Sequence, residues 1–557
     1  MFYSTINKLV FNNGLELPIA PNDIVIFVGP NNCGKSQSLK DIHSCVSQNI
    51  DTVVVKKVGL SFGSLEELKA SVSESSVVQQ ANNTQYSGYG YTIFQMDFNS
   101  YSNNPKLAMN LRNYLFSYLG TEQRLTISNA PNAVDSDDIK THPIHYILYG
   151  ENYRSTISRY FKEAFGYDLI PNYLSRKRVH LLMGDVPQVN DGGTVPSVMA
   201  KLEKVFQSYQ KVDDQGDGMR SFTGVILHLI LKNYGVFLID EPESFLHPPQ
   251  ARIMGKVIGE LLGSDRQAFL STHSEDIIKG LMDVCPQRIK VIRITREGNI
   301  NSFAVLNNDE FEAIWGDPLL KHSNIMSSLF HKDVVLCESD SDCRLYSIVL
   351  DHLKHEDGFY SESLFIHCGG KQRMEKVAGA LKSLSIDFKC VPDLDILNDK
   401  QTIKGLFEVC GGKWDDKMDT YYDTFAKQLN GGSETVSKTI VLEKVNAFLD
   451  QLEDDHLKRK DIDNLEKELR IETKWSQLKK GGIDSIPSGQ ATTSFNALHS
   501  ALNSVNIFPV LVGELERFIK EVGGHGPTWV NAVLEQYPDL GDKVYDRVRA
   551  FVKSWGL

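Results

Sequence analysis

The feature that most constrains this chain is a glycine-rich loop that directly follows an apolar strand. Residues 29–36 read Gly-Pro-Asn-Asn-Cys-Gly-Lys-Ser, after the apolar residues 24–28. A strand, such a loop and a helix in this order point backbone N–H groups at phosphate oxygens, bring the Lys to the β- and γ-phosphates and place the Ser hydroxyl on Mg²⁺. An ordinary glycine turn is the alternative, but apolar residues at helical spacing after the loop favour nucleotide binding. The predicted nucleotide-binding residues are Gly29, Asn31, Asn32, Gly34, Lys35 and Ser36, with Ser36 also a metal ligand.

Composition and charge limit the class of protein. The 557 residues leave room for roughly three or four domains. The net charge is −12, so binding to nucleic acid would need a local basic surface or metal ions that bridge carboxylates to phosphates. The eight cysteines form no C-x-x-C pair, which argues against a disulfide framework or a zinc ribbon. No leader segment and no apolar run of membrane-spanning length is evident, so we expect a cytoplasmic protein without a membrane partner.

A second apolar strand, far downstream of the loop, ends in two acids. Residues 236–241 read Val-Phe-Leu-Ile-Asp-Glu. Asp240 would order Mg²⁺ through water, and Glu241 would polarise the water that attacks the γ-phosphate. Two solvated acids at a strand end are the alternative, and the phosphate loop favours the catalytic interpretation.

Two flanking segments extend this candidate site. Residues 216–221, Gly-Asp-Gly-Met-Arg-Ser, open an apolar helical stretch, and glycines at a helix start leave N–H groups free for an anion. A plain glycine-rich turn before a core helix fits this segment equally well. His273 follows another apolar strand and could donate to a γ-phosphate; a structural histidine with satisfied hydrogen bonds is the alternative.

In this order the four elements resemble the ATPases of the ABC and SMC group. In that group two ATP molecules lie between two heads, and the signature loop of one head caps the ATP of the other. The resemblance implies a homodimer or higher homo-oligomer in which Gly218 and Ser221 contact ATP in trans. The loop departs from the usual Leu-Ser-Gly-Gly-Gln. With residues 241–248, Glu-Pro-Glu-Ser-Phe-Leu-His-Pro, it looks more like the OLD-family (overcoming lysogenisation defect) ATPases.

The second half contains another set of strands that end in acids. Residues 333–338 end in Glu338, and residues 388–395 end in Asp393 and Asp395. Strands alternate with helices here, which predicts a parallel sheet whose functional groups lie at the carboxyl ends of the strands. Three carboxylates that converge need cations, and oxygen-rich sites suit Mg²⁺ or Mn²⁺. Such ions would activate water and stabilise a leaving alkoxide in phosphodiester cleavage. Three separate solvated strand ends are the alternative.

A Glu at one strand end and Asp-x-Asp two strands later resemble a Toprim domain, found in topoisomerases, primases and OLD nucleases. Ser339 stands where a Gly frequently follows the Glu. Residues 507–516, which end in Gly-Glu-Leu-Glu, and residues 526–530 strongly resemble the C-terminal part of OLD-family nucleases. The resemblance implies that Glu514 or Glu516 joins the metal cluster. The predicted metal ligands are Ser36, Asp240, Glu338, Asp342, Asp393, Asp395, Glu514 and Glu516, and the predicted catalytic residues are Glu241, His273, Glu338, Asp393 and Asp395.

Two basic segments are further candidates for contacts to nucleic acid. Residues 176–178 form a short basic cluster, which is either a solvated loop or a DNA contact. Near the C-terminus, one of four basic residues at roughly helical spacing could stabilise the cleaved phosphate, as a late Lys does in the OLD family; a solvated helix face is the alternative. These four residues are Lys543, Arg547, Arg549 and Lys553.

The predicted fold class is α/β, with an ABC-type ATPase domain followed by a Toprim domain. We expect the ATPase domain in two parts, residues 1–99 and 176–325, around an inserted helical or dimerisation segment, residues 100–175. The Toprim domain would span residues 326–557, with a helical insertion at about 400–475.

The resemblance implies an ATP-regulated, divalent-metal-dependent endonuclease that cleaves DNA in antiphage defence, of the Gabija-type or retron-associated kind. A retron reverse transcriptase with its nucleic acid, or a helicase, would then be a partner. An ATP-switched nucleic-acid-binding sensor or scaffold with an inactive Toprim site is the alternative. A topoisomerase-like activity would need a Tyr nucleophile in a DNA-binding module, and we identify none in the sequence.

Overall fold

The computed structural model describes residues 4–47, 51–79, 84–103, 109–187, 194–231, 233–298, 300–306, 308–321, 324–430, 437–452, 457–469 and 474–557. The chain divides into two compact units, residues 1–316 and 317–557. The sequence analysis predicts this boundary slightly later, between residues 325 and 326.

The first unit is a mixed α/β domain. Its strands are β1 (Thr5–Phe11), β2 (Glu16–Pro18), β3 (Ile24–Val28), β4 (Val55–Ser61), β5 (Val77–Gln79), β6 (Gln85–Gly88), β7 (Tyr91–Phe94), β8 (Phe116–Leu119), β9 (Asp168–Pro171), β10 (Leu181–Gly184), β11 (Gln210–Lys211), β12 (Val236–Asp240), β13 (Gln267–Ser271), β14 (Ile289–Glu297) and β15 (Ile300–Val305). Its helices are α1 (Lys35–Val46), α2 (Leu65–Ser75), α3 (Gln95–Asn103), α4 (Met109–Leu115), α5 (Thr121–Ile127), α6 (Pro143–Tyr149), α7 (Glu151–Phe165), α8 (Val195–Ser208), α9 (Asp217–Leu229), α10 (Pro248–Leu262), α11 (Glu275–Met282) and α12 (Asn308–Gly316).

A six-stranded sheet organises the first unit, in the order β15-β14-β3-β13-β12-β8. The five strands from β14 to β8 are parallel, and β15 pairs antiparallel with β14. The apolar runs of β3, β12 and β13 are buried, as expected for strands covered on both faces. The parallel arrangement brings the carboxyl ends of β3, β12 and β13 to one edge, where the phosphate loop, Asp240 and His273 follow.

Residues 100–175 differ from the inserted helical segment that the sequence analysis predicts. They are largely helical, but they also contain β8, which pairs in parallel with β12 at the edge of the main sheet. Because Phe-Ser-Tyr-Leu is short and half polar, its pattern does not identify a strand of a parallel sheet. This stretch therefore contributes one strand to the main sheet, and its other elements lie outside that sheet.

The second unit is built on a smaller parallel sheet in the order β17-β16-β18. Its strands are β16 (Asp333–Cys337), β17 (Ser363–His367) and β18 (Phe388–Val391). Its helices are α13 (Pro318–Lys321), α14 (Asp340–Glu356), α15 (Lys371–Ser383), α16 (Lys400–Val409), α17 (Asp416–Asn430), α18 (Lys438–Leu449), α19 (Arg459–Leu469), α20 (Lys474–Gly481), α21 (Gln490–Ser504), α22 (Pro527–Gln536) and α23 (Asp546–Lys553). The described part of the predicted insertion at about 400–475 is mostly helical and contains α16 to α19.

A late segment extends the small sheet beside β18. Ile507 and Val510 form parallel bridges to Cys390 and Asp393. The amide of Val510 donates to the Pro392 carbonyl over 2.9 Å. This pairing carries the Gly-Glu-Leu-Glu motif to the same edge as the strand ends of β16 and β18. Among the described helices of either unit, none has the length and apolar composition to cross a lipid bilayer.

Candidate functional site

The phosphate loop of the first unit has the backbone that its glycines predict. Gly29 and Gly34 have φ angles of +145° and +106°, which L side chains rarely adopt. A Cβ atom at Gly34 would lie 2.9 Å from Val54 Cγ2, so space also excludes a larger residue. Asn32 is a non-glycine residue at positive φ, +59°, and is exposed with Asn31 at the tip of the loop.

Lys35 is folded into the loop that it follows. It is 4% exposed, and its Nζ donates to the carbonyl oxygens of Gly29 at 2.9 Å and Pro30 at 2.8 Å. Burial lowers the pKa of Lys35, and the attraction of Cys33 and Glu241 opposes that shift. The ammonium group is therefore held among loop carbonyls within electrostatic range of Glu241. Ser36, the predicted metal ligand, lies half-buried in the first turn of α1.

The two acids after β12 are held by neighbouring backbone and hydroxyl groups. The Ser271 hydroxyl donates to the Asp240 carboxylate. Glu241 has a φ of +47°, and its amide donates to the Ser271 carbonyl over 3.0 Å. The Ser244 hydroxyl donates to the Glu241 carboxylate over 3.3 Å. A non-glycine residue in the left-handed region persists only where surrounding contacts fix it, and such residues cluster at functional sites.

His273 lies beside Glu241. Its Nε2 is 3.5 Å from Glu241 Oε1, and its amide donates to Glu243 Oε1 over 2.6 Å. Burial and the nearby Lys35 lower the pKa of His273, which favours the neutral ring at pH 7. The structure thus brings Lys35, Glu241 and His273 into one neighbourhood.

Sequence reasoning missed Arg124, which joins several parts of this site. The side chain is completely buried. Its guanidinium donates to the carbonyl oxygens of Asp240 and Glu241 and to the Ser221 hydroxyl. A lone Arg after a short strand has no motif around it, so the single sequence carries no signal for this role.

The two predicted capping residues occupy different environments. Gly218 lies in the first turn of α9, where an added Cβ would lie 2.6 Å from the Phe245 carbonyl oxygen of the same chain. Ser221 is one turn further on and is fully buried, with its hydroxyl accepting from Arg124 Nε over 3.1 Å. In the single chain the Ser221 hydroxyl is therefore engaged with Arg124, and its contact with the ATP of a second chain stays a prediction.

In the second unit the ends of β16 and β18 bring three carboxylates together. Ligand oxygens of Glu338, Asp393 and Asp395 all lie within 4.8 Å of one another. The backbone around Glu338 is fixed, since the amides of Gly369 and Gly370 both donate to its carbonyl oxygen over 3.0 Å. The Asp393 amide donates to Glu338 Oε1 over 3.1 Å. Parallel topology therefore assembles the cluster, and the turn after β17 supports it.

Electrostatics shows that the cluster resists full ionisation. Burial, with a contribution from Asp395, raises the pKa of Glu338 to about 7. Burial and the neighbouring Glu338 raise the pKa of Asp393 well above its ordinary value. Burial therefore disfavours the ionised form of these carboxylates, and a cation bound among the three oxygens would stabilise it.

Two lysines partly neutralise these acids. Lys371 Nζ lies 3.0 Å from Asp395 Oδ1 and donates to the Asp395 carbonyl over 2.8 Å. Lys479 Nζ lies 3.3 Å from Asp395, 3.6 Å from Asp393 and 3.8 Å from Glu514. Burial alone would lower the pKa of Lys479, but Asp395 and Asp393 outweigh it and raise that pKa. Lys371 begins α15 and Lys479 lies in the last turn of α20, and nothing in the local sequence identifies their acidic partners.

Glu514 and Glu516 form a second group with His525. Their ligand atoms also lie within 4.8 Å of one another, and His525 Nδ1 is 2.6 Å from Glu516 Oε1. Arg517 contacts Glu514 at 3.2 Å. His525, an exposed residue, was not predicted, because it lies in the loop before α22 outside any acidic motif.

Asp342 has a structural function at the start of α14. Its carboxylate accepts from the Ser339 amide over 2.8 Å, and the Ser339 hydroxyl accepts from the Asp342 amide over 3.4 Å, forming a capping box. Burial raises the pKa of Asp342, with a smaller contribution from Glu516. The side chain thus lies within electrostatic range of the Glu514–Glu516 group while it caps the helix.

The remaining basic candidates are on the surface. Residues 176–178 are exposed. Of the C-terminal set, Arg549 pairs with Asp546 and donates to the Leu540 carbonyl, whereas Lys543, Arg547 and Lys553 are exposed. Lys479 and Lys371 are the lysines that the structure places against the acids.

Comparison with known proteins gives matches in both units. Residues 123–278 match the family described as "AAA domain, putative AbiEii toxin, Type IV TA system". Residues 329–395 match "Overcoming lysogenization defect protein-like, TOPRIM domain". A curated relative from Thermus scotoductus named OLD nuclease is 27% identical over 171 residues, which is 29% of this chain and 31% of the relative. The match thus spans about a third of that relative's length.

Solved structures of SMC heads align with low scores. The SMC head bound to the C-winged helix domain of ScpA has a TM-score of 0.31 at 13% identity, covering 55% of this chain and 99% of the head. The SMC head domain from Thermotoga maritima has a TM-score of 0.30 at 12% identity, covering 54% and 99%. The fold assignment therefore rests on strand order and the family matches. The fold prediction is confirmed: an ATPase-type α/β domain is followed by a Toprim domain of the OLD-like kind.

Proposed function

We propose that this chain is an ATP-regulated, divalent-metal-dependent nuclease that cleaves DNA. The observation that carries the proposal is the cluster of Glu338, Asp393 and Asp395, whose oxygens converge within 4.8 Å at the ends of parallel strands. The Toprim match over residues 329–395 and the nuclease named among the relatives agree with it.

The donor set fits Mg²⁺ or Mn²⁺. All three ligands are carboxylates, the oxygen donors that these hard cations prefer. Burial, with the neighbouring carboxylates, raises the pKa values of Glu338 and Asp393, and a bound cation would stabilise their ionised forms. We assign Glu338, Asp393 and Asp395 to one ion and Glu514 with Glu516 to a second. A bound ion would supply Lewis-acid stabilisation of the attacking and leaving oxygens.

The residues of the chain itself fix the geometry of this site. The Gly369 and Gly370 amides hold the Glu338 backbone, and the Asp393 amide orients its carboxylate. Lys479 contacts three carboxylates, so its ammonium is also placed where a scissile phosphate would approach the acids. We therefore assign substrate-phosphate binding to Lys479 rather than to the exposed C-terminal basic residues.

In the first unit we assign ATP hydrolysis to Lys35, Glu241 and His273. Lys35 would turn from the loop carbonyls to the phosphates, Glu241 would accept the proton of the attacking water, and neutral His273 would donate to the γ-phosphate. The loop at residues 216–218 would cap the ATP of a second copy, so the proposal includes a homodimer or higher homo-oligomer. Action in antiphage defence, with a reverse transcriptase or helicase partner, belongs to the same proposal through the resemblance to OLD-family proteins.

Cleavage of supercoiled plasmid tests the nuclease proposal. We expect nicked and linear products with Mg²⁺ or Mn²⁺ and ATP, and none with a chelator. Glu338→Gln and Asp393→Asn preserve shape, should lower cleavage by at least about 10²-fold, and should leave ATP hydrolysis intact because that site lies in the other unit.

Glu362→Gln, an exposed acid before β17, is the matched control and should cut like the parent. If purified protein binds DNA but cuts neither plasmid nor single strands with either metal, the sensor or scaffold interpretation replaces the nuclease. If Glu338→Gln cuts at the parent rate, the assignment of Glu338 to the catalytic metal site is wrong.

A further inference from the structure

Arg124 is the most completely buried charged side chain near the candidate ATPase site. It lies on α5, just after edge strand β8, and is 0% exposed. Burying a guanidinium is costly unless all of its donors find partners, so its contacts indicate what it holds in place.

The guanidinium contacts three separate elements. Nε donates to Ser221 Oγ on α9 over 3.1 Å. The two terminal nitrogens donate to the carbonyl oxygens of Asp240 and Glu241, the latter over 3.0 Å, and one also donates to Thr121 Oγ1 over 3.2 Å. The Arg124 side chain therefore connects α9, residues 240 and 241 at the end of β12, and the start of α5.

The contacts to residues 240 and 241 fix a strained backbone. Glu241 is held at a φ of +47°, and its amide is already bonded to the Ser271 carbonyl over 3.0 Å. Arg124 binds the carbonyl on the other side of the same residue, so both peptide groups of Glu241 have partners. This arrangement determines where the Glu241 carboxylate points.

Helix α9 also packs closely against α5 at the backbone of Arg124. A Cβ atom at Gly224 of α9 would collide with the Arg124 carbonyl oxygen, so the two helices approach as closely as backbones can. A shift of α9 would therefore change the Ser221 contact and, through the rigid guanidinium, the Glu241 backbone.

We propose that Arg124 is a positioning residue that holds Glu241 in its catalytic orientation and links that orientation to α9. The inference rests on the ATPase part of the proposed function, and it names the element through which assembly at the signature loop would control hydrolysis.

A mutant cycle between Arg124 and Glu241 tests the inference. Arg124→Lys retains the positive charge but loses the planar guanidinium with its several donors. Misplacing a catalytic group by about 1 Å lowers the rate by about 10²-fold. We expect that loss in kcat, while the Kd for ATP stays within about threefold of the parent value. In a Glu241→Gln background, adding Arg124→Lys should leave single-turnover hydrolysis unchanged, because the group being positioned is already absent.

Arg266 supplies a matched control in the same domain. It is also buried, 8% exposed, and its guanidinium also donates to main-chain carbonyls, those of Leu229 and Leu231 at 3.2 and 3.1 Å among them. It lies before β13, at the opposite end of the sheet from Glu241. Arg266→Lys should lower Tm as much as Arg124→Lys without changing kcat.

Ser221→Ala tests the link to α9, because it removes the acceptor of Arg124 Nε and leaves the contacts to residues 240 and 241 in place. It should lower kcat by less than Arg124→Lys does, and in an Arg124→Met background it should have no further effect. An equal loss in both Glu241 backgrounds, or equal kcat losses for Arg124→Lys and Arg266→Lys, would overturn the inference. Parent protein without ATP turnover would overturn the ATPase proposal and this inference together, whereas normal kcat in Arg124→Lys alongside an inactive Glu241→Gln overturns the inference alone.

Discussion

The nucleotide site and the carboxylate site differ in how their charges are held. In the first unit Lys35 is bonded to loop carbonyls, and Glu241 has hydrogen-bond partners on both peptide groups and on its carboxylate. In the second unit the carboxylates converge on each other and share the ammonium of Lys479. In the first site buried cations are hydrogen-bonded to backbone carbonyls, whereas in the second site buried carboxylates converge around a shared ammonium group.

This difference predicts different responses to ligands. In the first site Lys35 and Arg124 already donate to backbone carbonyls, so the loop and the end of β12 have hydrogen-bond partners without a ligand. A carboxylate cluster carries an electrostatic cost that protonation or cations must relieve. Substitution of Glu241 should therefore act mainly on chemistry, whereas substitution of Glu338 should change both stability and chemistry.

The largest expected effect is a loss of ATP turnover in the first site alone. Glu241→Gln keeps the shape and most contacts of the side chain but removes the proton acceptor, so ATP turnover should fall by about 10²–10⁴-fold while ATP remains bound. Lys35→Ala should lose both binding and turnover, because its amine is the cation of the loop. Turnover by radiolabelled ATP and binding by equilibrium dialysis distinguish the two variants. Normal turnover in Glu241→Gln would remove it from the mechanism.

The groups that belong to a local sequence motif could be predicted in both sites. The phosphate loop and the Asp-Glu strand are contiguous, so local pattern identifies them and the parallel sheet accounts for their proximity. Glu338, Asp393 and Asp395 could also be predicted to converge, because they follow apolar strands, whereas Glu514 and Glu516 were predicted only from the resemblance to OLD-family nucleases. The helix-capping role of Asp342 is readable in retrospect, since Ser339 precedes it by three residues as in a capping box.

The partners of these groups could not be predicted, because tertiary packing brings them from distant parts of the chain. Arg124 reaches Asp240 across more than one hundred residues, at a separation of 116 positions. Lys479 reaches Asp395 across 84 positions. A short strand such as β8 lacks the apolar run that marks a parallel strand, so its place in the sheet also depends on context.

A smaller effect would test the proposal that the loop at residues 216–218 caps the ATP of a second chain. A Cβ at Gly218 would crowd the Phe245 carbonyl of its own chain, whereas one at Gly216 meets no atom within 4 Å, and Gly216 has an ordinary φ of −62°. Gly216→Glu therefore adds charge at the helix start without disturbing the fold. Mixed with Lys35→Ala chains, it should recover up to about half of the parent activity per verified heterodimer, because one composite site is intact.

Gly216→Ala is the control for that mixture, since it fills the same space without charge. It should hydrolyse ATP almost as fast as the parent when tested alone. Verified heterodimers of Lys35→Ala and Gly216→Glu that stay inactive would argue that the loop works within its own chain or not at all.

The smallest expected effect is a pH dependence confined to the second site. The folded-state pKa of Glu338 is raised from 4.5 to about 7, chiefly by burial, so between those values the folded protein binds more protons than the unfolded chain. Stability must then fall as pH rises through this window, because the slope follows the protons bound by the unfolded state minus those bound by the folded state. Without metal, the Tm of the second unit should decline from about pH 5 to pH 7.5.

Mn²⁺ should reverse this decline, because it binds the ionised carboxylates and competes with protons. Its affinity, measured by electron paramagnetic resonance of free Mn²⁺, should therefore rise with pH through about 7. Glu338→Gln should flatten both the Tm profile and the affinity profile, since the amide does not titrate. A Tm profile of Glu338→Gln as steep as that of the parent would show that other groups govern the pH response and that the carboxylate cluster is not short of positive charge.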